Sequence, residues 1–138
     1  MPRDGGAWTG VEPDPNGGER LAHWQMTDPA PVTPTEAVLL GDFNLEPGKA
    51  EYEALVGYRD DIYGRVDVMA RFVDAWVATG HEQDSGVTCP AKPEMGEPDM
   101  RIDYGFVSLP LKPRLRDCWI DGDAPGSDHQ PVWIDIDL

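Results

Sequence analysis

Up to residue 35, apolar side chains form no sustained pattern. Gly, Pro, Asp and Thr dominate there. Asp14-Pro15-Asn16-Gly17-Gly18 and Pro29-Ala30-Pro31-Val32-Thr33-Pro34 are turn or extended segments, and only Glu19 to Met26 leaves room for a short helix. The pattern changes at Glu36. Ala37-Val38-Leu39-Leu40 is an uninterrupted apolar run closed by Gly41, which reads as a strand buried on both faces. A tight turn through Leu45-Glu46-Pro47-Gly48 follows, and Lys49 to Val56 carries Tyr52, Leu55 and Val56 at helical spacing with Gly57 as its stop. From Arg65 to Val77, the residues Val66, Met69, Ala70, Val73, Trp76 and Val77 fall on one stripe of a 3.6-residue period. This stripe predicts an amphipathic helix ending near Gly80, with a strand over Phe72 to Trp76 as the competing reading. A polar loop over residues 81–100, broken by Pro90, Pro93 and Pro98, precedes three strand-like segments at Ile102 to Leu109, Leu115 to Ile120 and Pro131 to Leu138. In the last of these, Val132, Ile134 and Ile136 alternate with Trp133, Asp135 and Asp137.

Strands mixed with helices place the chain in the α/β or α+β class. Its 138 residues suffice for one core, 40% of them are hydrophobic, and wholesale disorder is excluded on that ground. The formal net charge of −15 changes the functional picture more than the length does. Affinity for a phosphate backbone comes mainly from lysine and arginine displacing counterions, so extended nucleic-acid binding is disfavoured and a phosphate ligand requires a metal ion or a local positive pocket. No run approaches the roughly 18 apolar residues of a membrane span. The start Met1-Pro2-Arg3-Asp4-Gly5-Gly6 lacks the basic and apolar regions of a secretory signal, so the expected location is cytoplasmic. Cys89 and Cys118 are too few for a disulfide scaffold and read as buried or incidental thiols.

Three polar clusters stand at the ends of expected strands, where open sheets display functional side chains. In Gly41-Asp42-Phe43-Asn44, a carboxylate and a carboxamide two residues apart can orient a water and hydrogen-bond a ligand oxygen, or simply close an Asx-type turn. In Arg101-Ile102-Asp103-Tyr104, the aspartate opens an otherwise apolar strand, where burial without a partner is costly and a surface position is the default. In Ser127-Asp128-His129-Gln130-Pro131, adjacent Asp and His lie on opposite sides of an extended backbone and can serve different partners, or none in a solvated loop. Asp121-Gly122-Asp123-Ala124-Pro125-Gly126 begins like a calcium loop, but Pro125 occupies a ligand position and Val132 stands where the closing glutamate belongs, which leaves an acidic turn.

Taken in order, Leu39-Leu40-Gly41-Asp42-Phe43-Asn44, Asp74-Ala75-Trp76 followed by Gly86-Val87-Thr88, Arg101-Ile102-Asp103-Tyr104 and Ser127-Asp128-His129-Gln130-Pro131-Val132 resemble the C-terminal half of the endonuclease/exonuclease/phosphatase superfamily, the deoxyribonuclease-I-like fold. The resemblance implies half of a four-layer α/β/β/α sandwich, mostly one mixed sheet with flanking helices, over residues 36–138, preceded by an irregular Gly/Pro-rich segment over residues 1–35. It also implies hydrolysis of a phosphodiester or phosphomonoester by an activated water with Mg2+ or Mn2+. On that resemblance Asp42, Asn44, Asp103 and His129 are the catalytic set, and Asp128, Asp42 and Asn44 surround the metal. His129 would contact or protonate the phosphoryl oxygen, Asp103 would orient it and keep it charged, Asp42 would activate the water, and Asn44 would hydrogen-bond the phosphorus centre.

The asparagine strand and the Gln-Glu metal ligand that open a complete member of that superfamily have no counterpart upstream of Gly41. Arg20-Leu21-Ala22-His23-Trp24-Gln25 instead resembles the helix that precedes the Gly-Asp-Phe-Asn strand, with His23 on its surface. Two expectations follow: a phosphoesterase that acts with a complementary N-terminal half, or a non-catalytic remnant or interaction module of the same fold. Either leaves apolar sheet surface in need of a partner.

Overall fold

The computed structural model describes residues 11–13, 19–21, 34–92 and 96–137. The chain divides into two compact units, Met1–Pro34 and Thr35–Leu138. In the first, β1 (Val11–Pro13) pairs antiparallel with β2 (Glu19–Leu21), Val11 facing Leu21 and Pro13 facing Glu19. Glu19–Leu21 is therefore a strand and not the start of the expected helix, because it pairs with β1. Residues 22–26, with His23, lie outside the described residues.

The second unit is built on β7 (Asp103–Ser108), the middle strand of a three-stranded antiparallel sheet. β3 (Val38–Asp42) pairs with it on one side and β6 (Phe72–Asp74) on the other. On one face of β7, Tyr104 and Phe106 stack on each other with ring centroids 4.9 Å apart. Phe43 meets Phe106 edge-on at 5.2 Å, and Tyr52 of α1 (Ala50–Val56) lies 5.8 Å from Tyr104. Tyr52, Val56, Tyr104 and Phe106 are all buried, and each such side chain is worth about 1.5–3 kcal/mol of apolar burial. Helix α1 ends where the sequence places its stop, at Gly57 with φ +89°.

The opposite face of β7 receives a hairpin, β8 (Leu115–Ile120) with β9 (Val132–Ile136). A 3₁₀ turn over Leu109–Arg114 leads into it. Ile134 of β9 sits directly over Gly105, where an added Cβ would lie 2.8 Å from Ile134 Cγ1. Two layers approach this closely only because position 105 has no side chain. On the hairpin's outer face Trp119 and Trp133 stack with centroids 6.1 Å apart, while Cys118 on the inner face is fully buried.

Three expectations are corrected. The helix read from Arg65 to Val77 is absent. β4 (Arg59–Asp60) and β5 (Gly64–Arg65) form a hairpin, Phe72–Asp74 is the edge strand β6, and only α2 (Ala75–Ala78) is helical. The stripe does not act as one face: Val66 and Met69 remain exposed while Val73, Trp76 and Val77 are half-buried, and pairing of Phe72–Asp74 with β7 wins over helical periodicity. β3 is not buried on both faces: Leu40 is 67% exposed, because β3 has β7 as its one partner among the described residues and the hairpin does not cover it. One mixed sheet gives way to several small open ones, and every pairing among the described residues is antiparallel. The class is α+β.

Candidate functional site

Asp42 is the last residue of β3 and Asp103 the first of β7, and the antiparallel register places them directly opposite each other. Both carboxylates thus reach the same end of the sheet because two strands terminate there together. His129 arrives from the loop before β9, and its Nδ1 lies 2.8 Å from Asp103 Oδ2. Ligand atoms of Asp42, Asp103 and His129 all lie within 4.8 Å of one another. Asp103 is therefore neither a bare surface residue nor a buried unpaired charge, its side chain being 17% exposed and His129's 27%.

The Asp42 turn serves two ends. Asn44 has a left-handed backbone, φ +50°, and donates its backbone N–H to Asp42 Oδ1 at 2.8 Å. The Asp42 carboxylate thus closes an Asx turn, which fixes its rotamer beside the histidine, and Asn is a residue type that tolerates the left-handed conformation at position 44. Asp128 lies outside the group of mutually close ligand atoms. Its carbonyl accepts from Ala91 N at 2.7 Å, Ser127 Oγ lies 3.5 Å from its carboxylate, and its side chain is exposed. The acidic turn after β8 is closed internally, Asp121 Oδ1 accepting from Asp123 N at 3.2 Å.

The hydrogen bond to Asp103 raises the His129 pKa above the ordinary histidine value. Burial opposes the rise, and the charges of Asp103, Asp42 and Asp128 add to it. A protonated His129 would present its second N–H to an anionic oxygen, as phosphoryl chemistry requires. The same two carboxylates and an imidazole also fit a divalent cation, which would favour the neutral ring. Depressions flank the group on both sides. One, of about 390 Å³, is lined by Asn44, Leu45, Lys49 and Met100, and the other, of about 290 Å³, by Asp103, Pro125, Ser127 and His129.

Beneath the site lies a buried polar network that sequence reasoning did not assemble. Asp74 caps α2 by accepting from Trp76 N at 3.0 Å, receives the Tyr52 hydroxyl at 2.8 Å, and pairs with Arg101 Nη1 at 2.9 Å. The Asp74 and Arg101 side chains are each 3% exposed. Arg101 Nη2 donates to the Gln83 carbonyl, and its guanidinium lies 4.6 Å from the centre of the Tyr104 ring. Burial first, then the Asp74 charge, pushes the Tyr52 hydroxyl far above the tyrosine range, so it remains a donor. A polar signal was present in the sequence, since Arg101 and Asp74 both interrupt apolar segments. Their pairing depends on a contact between residues 27 positions apart. No protein-family model matches the chain, and no curated protein does either.

Proposed function

We propose that the chain is a metal-dependent phosphoesterase of the endonuclease/exonuclease/phosphatase type. The observation that carries this reading is the convergence of Asp42, Asp103 and His129 at one end of the sheet, with Nδ1 of the histidine 2.8 Å from the Asp103 carboxylate. His129, held charged by Asp103, donates to a phosphoryl oxygen. Asp42 orients and deprotonates the attacking water, and Asn44 hydrogen-bonds the oxygens around phosphorus. Asp42, with Asp103 beside it and Asn44 two residues on, would hold Mg2+ or Mn2+, the expected ligand Asp128 lying outside the cluster, and the ion would offset the phosphate's charge in a molecule otherwise carrying −15. The substrate is a phosphate ester engaged locally, not a long polyanion gripped along its length.

The hairpin stacked on β7 belongs, on this reading, to the inner layers of a four-layer sandwich, and a complementary half supplies the remaining strands. Leu40, 67% exposed on a strand with one partner among the described residues, supports that requirement. The same observation favours the second reading, an interaction module of this fold without catalysis. Hydrolysis of bis(p-nitrophenyl) phosphate with Mg2+ separates them, measured on the chain alone, on the chain with a supplied N-terminal half, and on His129→Ala. The first reading expects activity that falls about 10²–10⁴-fold in His129→Ala. Activity that survives the substitution removes His129 from the reaction, and a folded but inert reconstituted pair leaves the interaction module.

A further inference from the structure

Three separate segments carry the proposed site: the turn after β3, the start of β7, and the loop before β9. Between Asp103 and His129 the direct link is a single side-chain contact, shared by two groups that are both partly open to water. Such a pair does not by itself hold two loops in register, because an exposed ion pair is worth about 0–1 kcal/mol. Thr88 bonds directly to two of these segments, reaches the third through Ile102, and belongs to none of them.

Thr88 is fully buried. Its Oγ1 accepts the backbone N–H groups of Ile102 at 3.0 Å and Asp103 at 3.1 Å. The Ile102 carbonyl in turn accepts from Phe43 N at 2.9 Å, and Phe43 lies between Asp42 and Asn44. Thr88 also offers its own carbonyl to Gln130 N at 2.7 Å, the residue next to His129. Residues 88–91 then continue the seam. Cys89 and Met100 exchange backbone hydrogen bonds at 3.0 and 2.7 Å, Ala91 N donates to the Asp128 carbonyl at 2.7 Å, and Gln130 Nε2 donates to the Ala91 carbonyl at 3.0 Å. Upstream, Gly86 with φ +86° turns the chain into this path, where a Cβ would come within 2.8 Å of Ile120 Cδ1.

We propose that Thr88 is a positioning residue. Through it, residues 88–91 act as a strap that holds the His129 loop against the start of β7, and so sets the separation of His129, Asp103 and Asp42. The inference rests on the phosphoesterase reading for its functional consequence and on geometry alone for the strap. A hydroxyl is required at position 88 because two consecutive amide donors point at one buried acceptor. Valine would match the shape of threonine and leave both donors unpaired, whereas serine would keep the acceptor.

Amide hydrogen exchange, read residue by residue by NMR on the whole chain, decides the matter for Thr88→Val and Thr88→Ser. In Thr88→Val the Ile102 and Asp103 amides should exchange about tenfold faster, the effect of losing one buried hydrogen bond. The Gln130 and Ala91 amides, which the Thr88 side chain does not touch, should accelerate with them, while Phe106 and Val107 in the middle of β7 stay within about threefold. Thr88→Ser should restore the wild-type pattern. Acceleration confined to Ile102 and Asp103 would reduce Thr88 to a local cap, and uniform acceleration through Phe106 would make it a general stability residue; either overturns the strap. Hydrolysis of bis(p-nitrophenyl) phosphate with Mg2+ gives the functional arm. In Thr88→Val, kcat should fall about 10–100-fold with KM within about threefold, and Thr88→Ser should recover it. Hydrolysis absent from the wild-type chain even with the supplied N-terminal half would sink the phosphoesterase reading, and the exchange pattern would still decide the strap.

Discussion

At the scale of single residues, the His129–Asp103 pair is both the centre of the proposed chemistry and a stability element with a defined pH window. Its folded pKa is raised above the ordinary value of about 6.5, so its contribution is fully present below that value and is lost as pH climbs through the folded pKa. Replacing Asp103 by asparagine removes the largest cause of the rise. In Asp103→Asn the His129 ring should titrate nearer the ordinary histidine value, read by NMR of its imidazole C–H against the same signal in the wild-type chain. Addition of Mg2+ should also lower the His129 titration midpoint in the wild-type chain, because a cation and a proton compete for the same carboxylates. A midpoint indifferent to 10 mM-scale Mg2+, about the concentration such weak oxygen sites need, would remove these three residues from any metal site. The buried pair carries a different prediction. Asp74→Asn keeps the shape of the side chain but leaves Arg101 charged and unpaired at 3% exposure. It should lower unfolding free energy by about 3–5 kcal/mol, measured by urea denaturation.

At the scale of elements, the closest approach in the molecule sets the clearest test. Gly105→Ala would drive a methyl group into Ile134, so it should destabilise the chain by about 1–3 kcal/mol. Ile134→Val in the same background should recover part of that loss, a coupling that thermal denaturation of the four-member cycle would read directly. Additive effects would mean that the hairpin does not rest on β7 at this point. The sequence made β7, β8 and β9 legible because each is a short apolar segment bounded by Pro, Gly or charge, and α1 legible because Gly57 ends it. The helix read over residues 65–77 fails because its periodicity is an accident of spacing, while the competing strand over Phe72–Trp76 forms at Phe72–Asp74. A three-residue strand is decided by its neighbour and not by its own pattern. The cluster was legible as residue types in Asp42, Asp103 and His129. Thr88 was not, because an uncharged hydroxyl in a loop advertises nothing until the two amides it serves are placed beside it.

For the whole molecule, the charge of −15 and the cluster of Asp42, Asp103 and His129 found among the described residues pull in opposite directions. On the proposed reading, a site for phosphate lies in a chain whose average field repels it. Lys49 beside Asn44 is a positive side chain lining the adjoining depression, and Arg101, though near, is consumed by Asp74. Long-range steering of a polyanion therefore works against the chain at low salt, where the Debye length is about 30 Å at 0.01 M, and fades as salt shortens it to about 8 Å. Proteins that grip nucleic acid behave in the reverse way and lose affinity steeply as salt rises. Fluorescence anisotropy with a labelled single-stranded and a double-stranded oligonucleotide, at 0.02 and 0.15 M salt without divalent ions, should show no binding tighter than about 10⁻⁴ M, the weak limit of non-specific association. A micromolar affinity with a steep negative salt slope would require a basic surface that the charge balance argues against. Binding that appears only with Mg2+, and vanishes in Asp42→Asn, would instead place the whole of the phosphate attraction at the three-residue cluster.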